Sequence, residues 1–165
     1  MATAIDDMVT IIGDDEKPII VRKIDACQCG LIKGMIEEVH DETGAIPIKV
    51  FPAHLITLAM RFCALLSENE GHWTTFNGPD TVYEPWQDAF LASMGNVAAM
   101  DLFPVASYLN IQQLIDLTAC AIARQLRGLN LDEMRVVMRC EKTHGFTAEE
   151  DEENRKLIAF LQGIK

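Results

Sequence analysis

The apolar pattern of this chain starts with a period of two and changes to periods of three and four. Val9 to Ile12 and Ile19 to Val21 are short β-branched runs on either side of Gly13-Asp14-Asp15, so two strands of a hairpin are predicted. Leu31, Ile32, Met35, Ile36 and Val39 then recur at helical spacing, predicting a helix over Ala26 to Val39 in spite of Gly30 and Gly34. After the break at Asp41 to Gly44, Ile46 to Phe51 reads as a third strand, which Pro47 confines to an edge or a strand start. Pro52 suits the first position of a helix carrying Leu55, Leu58, Ala59, Phe62, Cys63 and Leu66. From Ser67 to Glu84 the period is lost and Asn, Gly, Pro, Asp and Thr accumulate, the mark of a long surface loop.

The rest reads as helices with written ends. Trp86, Phe90 and Leu91 define a short one, and Ala98 to Leu109 the next. Asn110 is an N-cap candidate and Gly128 a stop for Ile111 to Arg127. Asn130 with Glu133 forms a capping box for a helix to about Arg139, and Thr147 with Glu150 one for the last helix. The helix from Ile111 carries two apolar stripes, Ile111/Ile115/Ile122/Leu126 and Leu114/Leu117/Ala121. One stripe can face the core, and the second needs another cover. Met134, Val137, Met138, Leu157, Ile158, Phe160, Leu161 and Ile164 enlarge this apolar surplus. Either the surplus folds back onto the domain or a partner covers it; periodicity leaves both open.

Charge narrows the partners. Fourteen Lys and Arg against 25 Asp and Glu leave a formal net charge of −11, so nucleic acid and anionic membrane meet a like-charged field. No apolar run is long enough to span a bilayer, and Met1 to Asp7 has no signal-peptide pattern. The expectation is a protein of cytoplasm and nucleus. The five cysteines, an odd count with three in helical apolar patterns, favour a reducing compartment.

Candidate chemistry is thin. Cys27-Gln28-Cys29 lacks a second pair at ligand spacing, and His40, His54, His72 and His144 stand singly. There is no nucleophile elbow, phosphate loop or dinucleotide fingerprint. Asp132, Glu133 and the run Glu149 to Glu153 read as caps and helix-dipole partners. No catalytic residue, metal site or cofactor is nominated, and an enzyme of unknown type is the remote alternative.

Trp86 to Phe90, Leu102 to Ile115 with its Ala-Ser-Tyr-Leu-Asn-Ile core, Leu131-Asp-Glu-Met-Arg135 and Gly145-Phe-Thr-Ala-Glu-Glu150 occur in the order and spacing of one family. In these residues the chain resembles the S-phase-kinase-associated adaptors, the BTB/POZ-fold subunits of SCF (cullin-RING) ubiquitin ligases. The likeness runs from about Trp86 to Phe160 and continues more weakly upstream through Arg61-Phe62-Cys63, with the polar loop where the family has a variable acidic one. The elongin C group shares the core but stops before the last two helices, so the capping signals after Asn130 favour the longer form.

The resemblance implies an α/β protein: a BTB/POZ core over residues 1–128, with a small three-stranded sheet packed against helices, then a two-helix extension over 129–165, the whole one compact unit. It implies a non-catalytic adaptor that bridges an F-box protein and a cullin scaffold. The positions matching the F-box surface are Met100, Ile115, Ala119, Ile122, Leu126, Met134, Met138 and Phe160, with Ile122, Met138 and Phe160 as anchors. Those matching the cullin patch are Phe103, Pro104, Ser107 and Tyr108. The chain departs from the family at Ser107, where Asn is typical, and at Pro104, where an aliphatic residue is typical. It departs again at Phe160, which replaces a Trp, and in the added spacing between Cys140 and Gly145. Pro104 and Ser107 make a rival reading credible, a structural subunit that binds F-box-like helices without cullin, as in a kinetochore. The apolar surface also suggests weak self-association of the free protein.

Overall fold

A computed structural model describes residues 8–38, 45–74, 76, 78–95, 97–140, 152, 155 and 156. The chain divides into two compact units, Met1–Arg127 and Gly128–Lys165.

In the first unit, β1 (Met8–Ile12) and β2 (Pro18–Arg22) form an antiparallel hairpin in which Val9 faces Val21 and Ile11 faces Ile19. Val9, Ile11 and Ile19 turn inwards and are buried, as the period of two requires. The third strand, β3 (Ala45–Pro47), lies parallel to β1 on its other side, so the sheet order is β2-β1-β3. It is an edge strand, as Pro47 suggested, but it stops at Pro47 instead of running to Phe51, with one further bond from Ile48 N–H to the Ile12 carbonyl at 2.7 Å. Lys49 to Pro52 form the turn into the next helix.

The hairpin turn is fixed against that helix. Asp14 N–H donates to the Phe51 carbonyl at 3.0 Å, and the Asp15 carboxylate accepts from Ala53 N–H at 3.0 Å. A Cβ at Gly13 would lie 2.9 Å from the Ala53 nitrogen, so only glycine admits this approach. The Ala53 amide, with Lys17 beside it, holds the Asp15 carboxyl below its ordinary value.

The helix expected over Ala26–Val39 is two. α1 (Lys23–Ala26) ends in a turn through Cys27 and Gln28, and α2 (Gly30–Glu38) starts anew. Val39 lies outside the described residues. In α1 the carboxylate of Asp25, 4% exposed, takes two bonds from Arg22, at 2.6 and 3.0 Å. Arg22 stands at the N-cap position without a side-chain cap, and its pairing with Asp25 removes the cost of an unpaired buried charge.

α3 (Ala53–Glu68) begins one residue later than expected, with Pro52 as its N-cap instead of its first helical residue. Its innermost stripe is Ile56, Ala59, Met60, Phe62 and Cys63, while Leu55, Leu58 and Leu66 are only half-buried. α4 (Pro85–Ser93), α5 (Ala99–Leu109) and α6 (Gln112–Leu126) complete the unit. Phe90, Leu102, Val105, Leu109, Leu114 and Leu117 join the strands and α3 in one continuous core.

Asn110 does a different job from the one its sequence suggested. It sits at φ 54°, ψ 55°, the left-handed end of α5, and the next amide, Ile111 N–H, reaches back to the Ala106 carbonyl at 3.0 Å. The N-cap of α6 is Ile111, without a side-chain cap. Asn110 instead offers its carbonyl to Gly30 N–H at 3.1 Å, at the start of α2, and its side chain fills the space where a Gly30 Cβ would stand, 2.4 Å away. One residue thus ends α5 and holds the start of α2.

In the second unit, α7 (Leu131–Val137) opens on the capping box read from the sequence. Asn130 Oδ1 accepts from the amides of Asp132 and Glu133, each at 3.0 Å, and Glu133 Oε2 accepts from Asn130 N–H at 2.8 Å. The helix stops two residues short of Arg139, which takes φ 52° while Cys140 N–H closes onto the Arg135 carbonyl. The capping box at Thr147 and Glu150 lies outside the described residues.

Candidate protein-docking surfaces

The loop from Asn69 to Glu84 is packed rather than loose. Phe62, Trp73, Phe76, Tyr83, Trp86 and Phe90 form a chain of ring contacts with centroids 5.2 to 6.2 Å apart. Trp86 Nε1 donates to the His72 carbonyl at 2.9 Å. The loop's far side is tied to α6. Cys120 Sγ donates to Gly78 O at 3.2 Å, Arg124 donates to the carbonyls of Pro79 and Thr81, and Arg127 pairs with Asp80. The Arg124 guanidinium also lies over the Tyr83 ring, 3.8 Å from its centre. Arg127 pulls the Asp80 carboxyl below its usual value, and burial pushes the Tyr83 hydroxyl up. Nothing in the polar composition of this loop announced these ties, although its Trp, Phe and Tyr at positions 73, 76 and 83 were the available signal.

With the loop on one flank, α6 keeps four positions of the expected F-box surface on one stripe. Ile115, Ala119, Ile122 and Leu126 recur at four, three and four residues, the spacing of a helix-packing seam. Ala119 is exposed, Ile115 and Leu126 are half-buried, and Ile122 is 8% exposed. The first of the two sequence stripes also contained Ile111, which is fully buried in the core with Leu114 and Leu117. Met100, on the first turn of α5, is half-buried. In the second unit, Met134 and Met138 stand four apart on α7 and its C-cap, both half-buried, while Leu131 and Val136 are 63% and 78% exposed. Phe160 lies outside the described residues.

The four positions of the expected cullin patch share a face of α5. Phe103 is half-buried and Pro104, Ser107 and Tyr108 are exposed. Pro104 does not begin the helix: it is the sixth residue of an unbroken α5. Its nitrogen has no hydrogen, so the Met100 carbonyl lacks its helical donor. Tyr108 meets Phe51 edge to face, 5.6 Å between centres, and Val50 beside it is 54% exposed. Val50 and Phe51 therefore extend this face, which the sequence reading missed by assigning both to a strand.

Cys29 and Cys63 are buried with their sulfurs 3.8 Å apart. Each thiol stays beside the other in an apolar site, which raises the Cys29 pKa and keeps it protonated. Among the described residues no three His, Cys, Asp or Glu side chains converge as a metal site, and no helix is long and apolar enough to cross a membrane.

A small mixed sheet beneath stacked helices, with apolar helix faces left open, is an α/β architecture of BTB/POZ type. A family model described as "Skp1 family, dimerisation domain" matches residues 112–159, from the start of α6 onwards. The chain is 26% identical over 155 residues to the "SCF ubiquitin ligase complex protein SKP1a" of Dictyostelium discoideum, covering 90% of this chain and 92% of that protein. It is 28% identical over 152 residues to "SKP1-like protein 13" of Arabidopsis thaliana (90% and 94%). With the "E3 ubiquitin ligase complex SCF subunit sconC" of Emericella nidulans it shares 24% over 152 residues (90% and 92%). Over residues 112–159 the chain resembles the Skp1 family, and along nine-tenths of its length it is similar, at low identity, to proteins named as SKP1 or SCF subunits.

Proposed function

We propose that this protein is a non-catalytic adaptor subunit of an SCF-type ubiquitin ligase, holding an F-box substrate receptor on its C-terminal helices and a cullin scaffold on α5. The observation that carries the reading is the Ile115/Ala119/Ile122/Leu126 stripe on α6, an apolar seam inside the segment that matches the Skp1 family. A seam of this kind accepts an apolar helix of a partner, and its contribution is positioning rather than chemistry. The cullin half rests on the Phe103/Pro104/Ser107/Tyr108 face, continued by Val50 and Phe51. Such a protein would work in cytoplasm and nucleus.

A second reading is favoured by Pro104 and Ser107: a structural subunit that binds F-box-like helices and no cullin. The two are separated by mixing the purified chain with F-box domains from its own proteome and with a cullin N-terminal region, alone and together. A ternary complex supports the adaptor, an F-box complex that never recruits cullin supports the structural subunit, and failure to bind any F-box domain overturns both. Tyr108→Ala should abolish cullin recruitment while leaving the F-box complex intact.

A further inference from the structure

Beside the apolar stripe, α6 turns Asp116, Ala119, Cys120 and Ala123 towards Trp73, Phe76 and Gly78 of the anchored loop, enclosing a cleft of about 410 Å³. Trp73 and Phe76 stand edge to face, 5.2 Å apart, as its aromatic wall. Ala119 and Ala123 are too small to fill the space, and Ala119 belongs to the stripe as well, so the cleft opens from the proposed F-box seam. The Asp116 carboxylate is steadied by Gln112 Nε2, which donates to Oδ1 at 2.9 Å.

Among the residues lining the cleft only Asp116 carries a charge. From Phe62 to Ala123 the chain contains no Lys or Arg. The next two basic residues are already engaged, Arg124 by Tyr83 and the loop carbonyls and Arg127 by Asp80. An anion would be repelled, and an apolar side chain would desolvate Asp116 without compensation. A long cation suits all the walls at once: a methylene stem on the alanines, a charged head against a carboxylate and a ring face. The loop already receives one guanidinium in this manner, that of Arg124 on Tyr83.

We propose that this cleft receives an arginine or lysine side chain of the F-box partner, making Asp116, Trp73 and Phe76 a charge-selective anchor beside the apolar seam. The inference rests on the F-box reading above and adds a criterion for which partners are taken.

The test uses the full chain and an F-box domain that binds it. Each Arg and Lys in that domain's helices is changed singly to Gln, and dissociation constants are measured against wild type, Asp116→Asn and Ala123→Leu, the last of which fills the cleft. One basic residue should matter by about tenfold with wild type and by almost nothing with either variant. Unchanged thermal unfolding of Asp116→Asn certifies its fold, and Ala123→Leu reads the same cleft by volume instead of charge. If every basic residue acts independently of both variants, or if the Ala123→Leu loss couples to an apolar partner residue, the anchor is overturned while the F-box reading stands. If no F-box domain binds wild type, the F-box reading falls and takes the anchor with it.

Discussion

Gly30 and Asn110 meet so closely that each dictates what the other can be. With the Asn110 Nδ2 atom 2.4 Å from the site of a Gly30 Cβ, Gly30→Ala must push the asparagine away or shift the start of α2. Overpacking of this kind costs about 1–3 kcal/mol, and urea unfolding should show it as a lower midpoint with an unchanged slope. Asn110→Gly in that background clears the side chain and keeps the left-handed backbone at no steric cost, so it should recover most of the loss. Ile122 asks for a different substitution from the obvious one. At 8% exposure in the free chain, Ile122→Asp would bury a carboxylate whether or not a partner is present, and would test folding as much as binding. Exposed Ala119 is the cleaner probe. Ala119→Glu should weaken F-box binding by at least about tenfold in a calorimetric titration and leave thermal unfolding unchanged.

Among the elements, α5 carries its own defect. An interior proline costs a helix about 3 kcal/mol against alanine, so Pro104→Ala should raise the midpoint of unfolding, and no change would mean that α5 has absorbed the missing bond elsewhere. The loop ahead of α4 should show a pH dependence. The Asp80 carboxyl is held below its ordinary 3.8 by Arg127, and a lowered carboxylate pKa contributes stability above the unfolded value that is lost as pH falls through the folded one. The gap in melting temperature between wild type and Asp80→Asn should therefore be open at pH 7 and close below about pH 4; being solvent-exposed, it should be small. Sequence legibility was uneven at this scale for identifiable reasons. The hairpin, the stop at Gly128 and the Asn130 capping box follow from local chemistry and stand where they were read. Asn110 suits an N-cap and a left-handed helix end equally well, and what decides between them is the Gly30 amide, eighty residues away in sequence. Ile46 to Phe51 had the residues of a strand but found only β1 to pair with, and Phe51 was drawn off towards Tyr108.

For the whole molecule, the fold class was legible because ordered motifs are dense from Trp86 onwards; helical periodicity wrote Ile115, Ile122 and Leu126 of the α6 seam, and Ala119 joined it only through the resemblance. The cleft was not, since Trp73 and Phe76 sit in a segment without period, and only three-dimensional closure of the loop brings them to Asp116. The same closure has a spectroscopic consequence. Trp73 and Trp86 are the chain's two tryptophans, and both lie in the ring cluster that holds the loop, 5.9 Å apart. Tryptophan fluorescence of the native protein thus reports this one corner, and any ligand or partner residue entering beside Trp73 announces itself without a label.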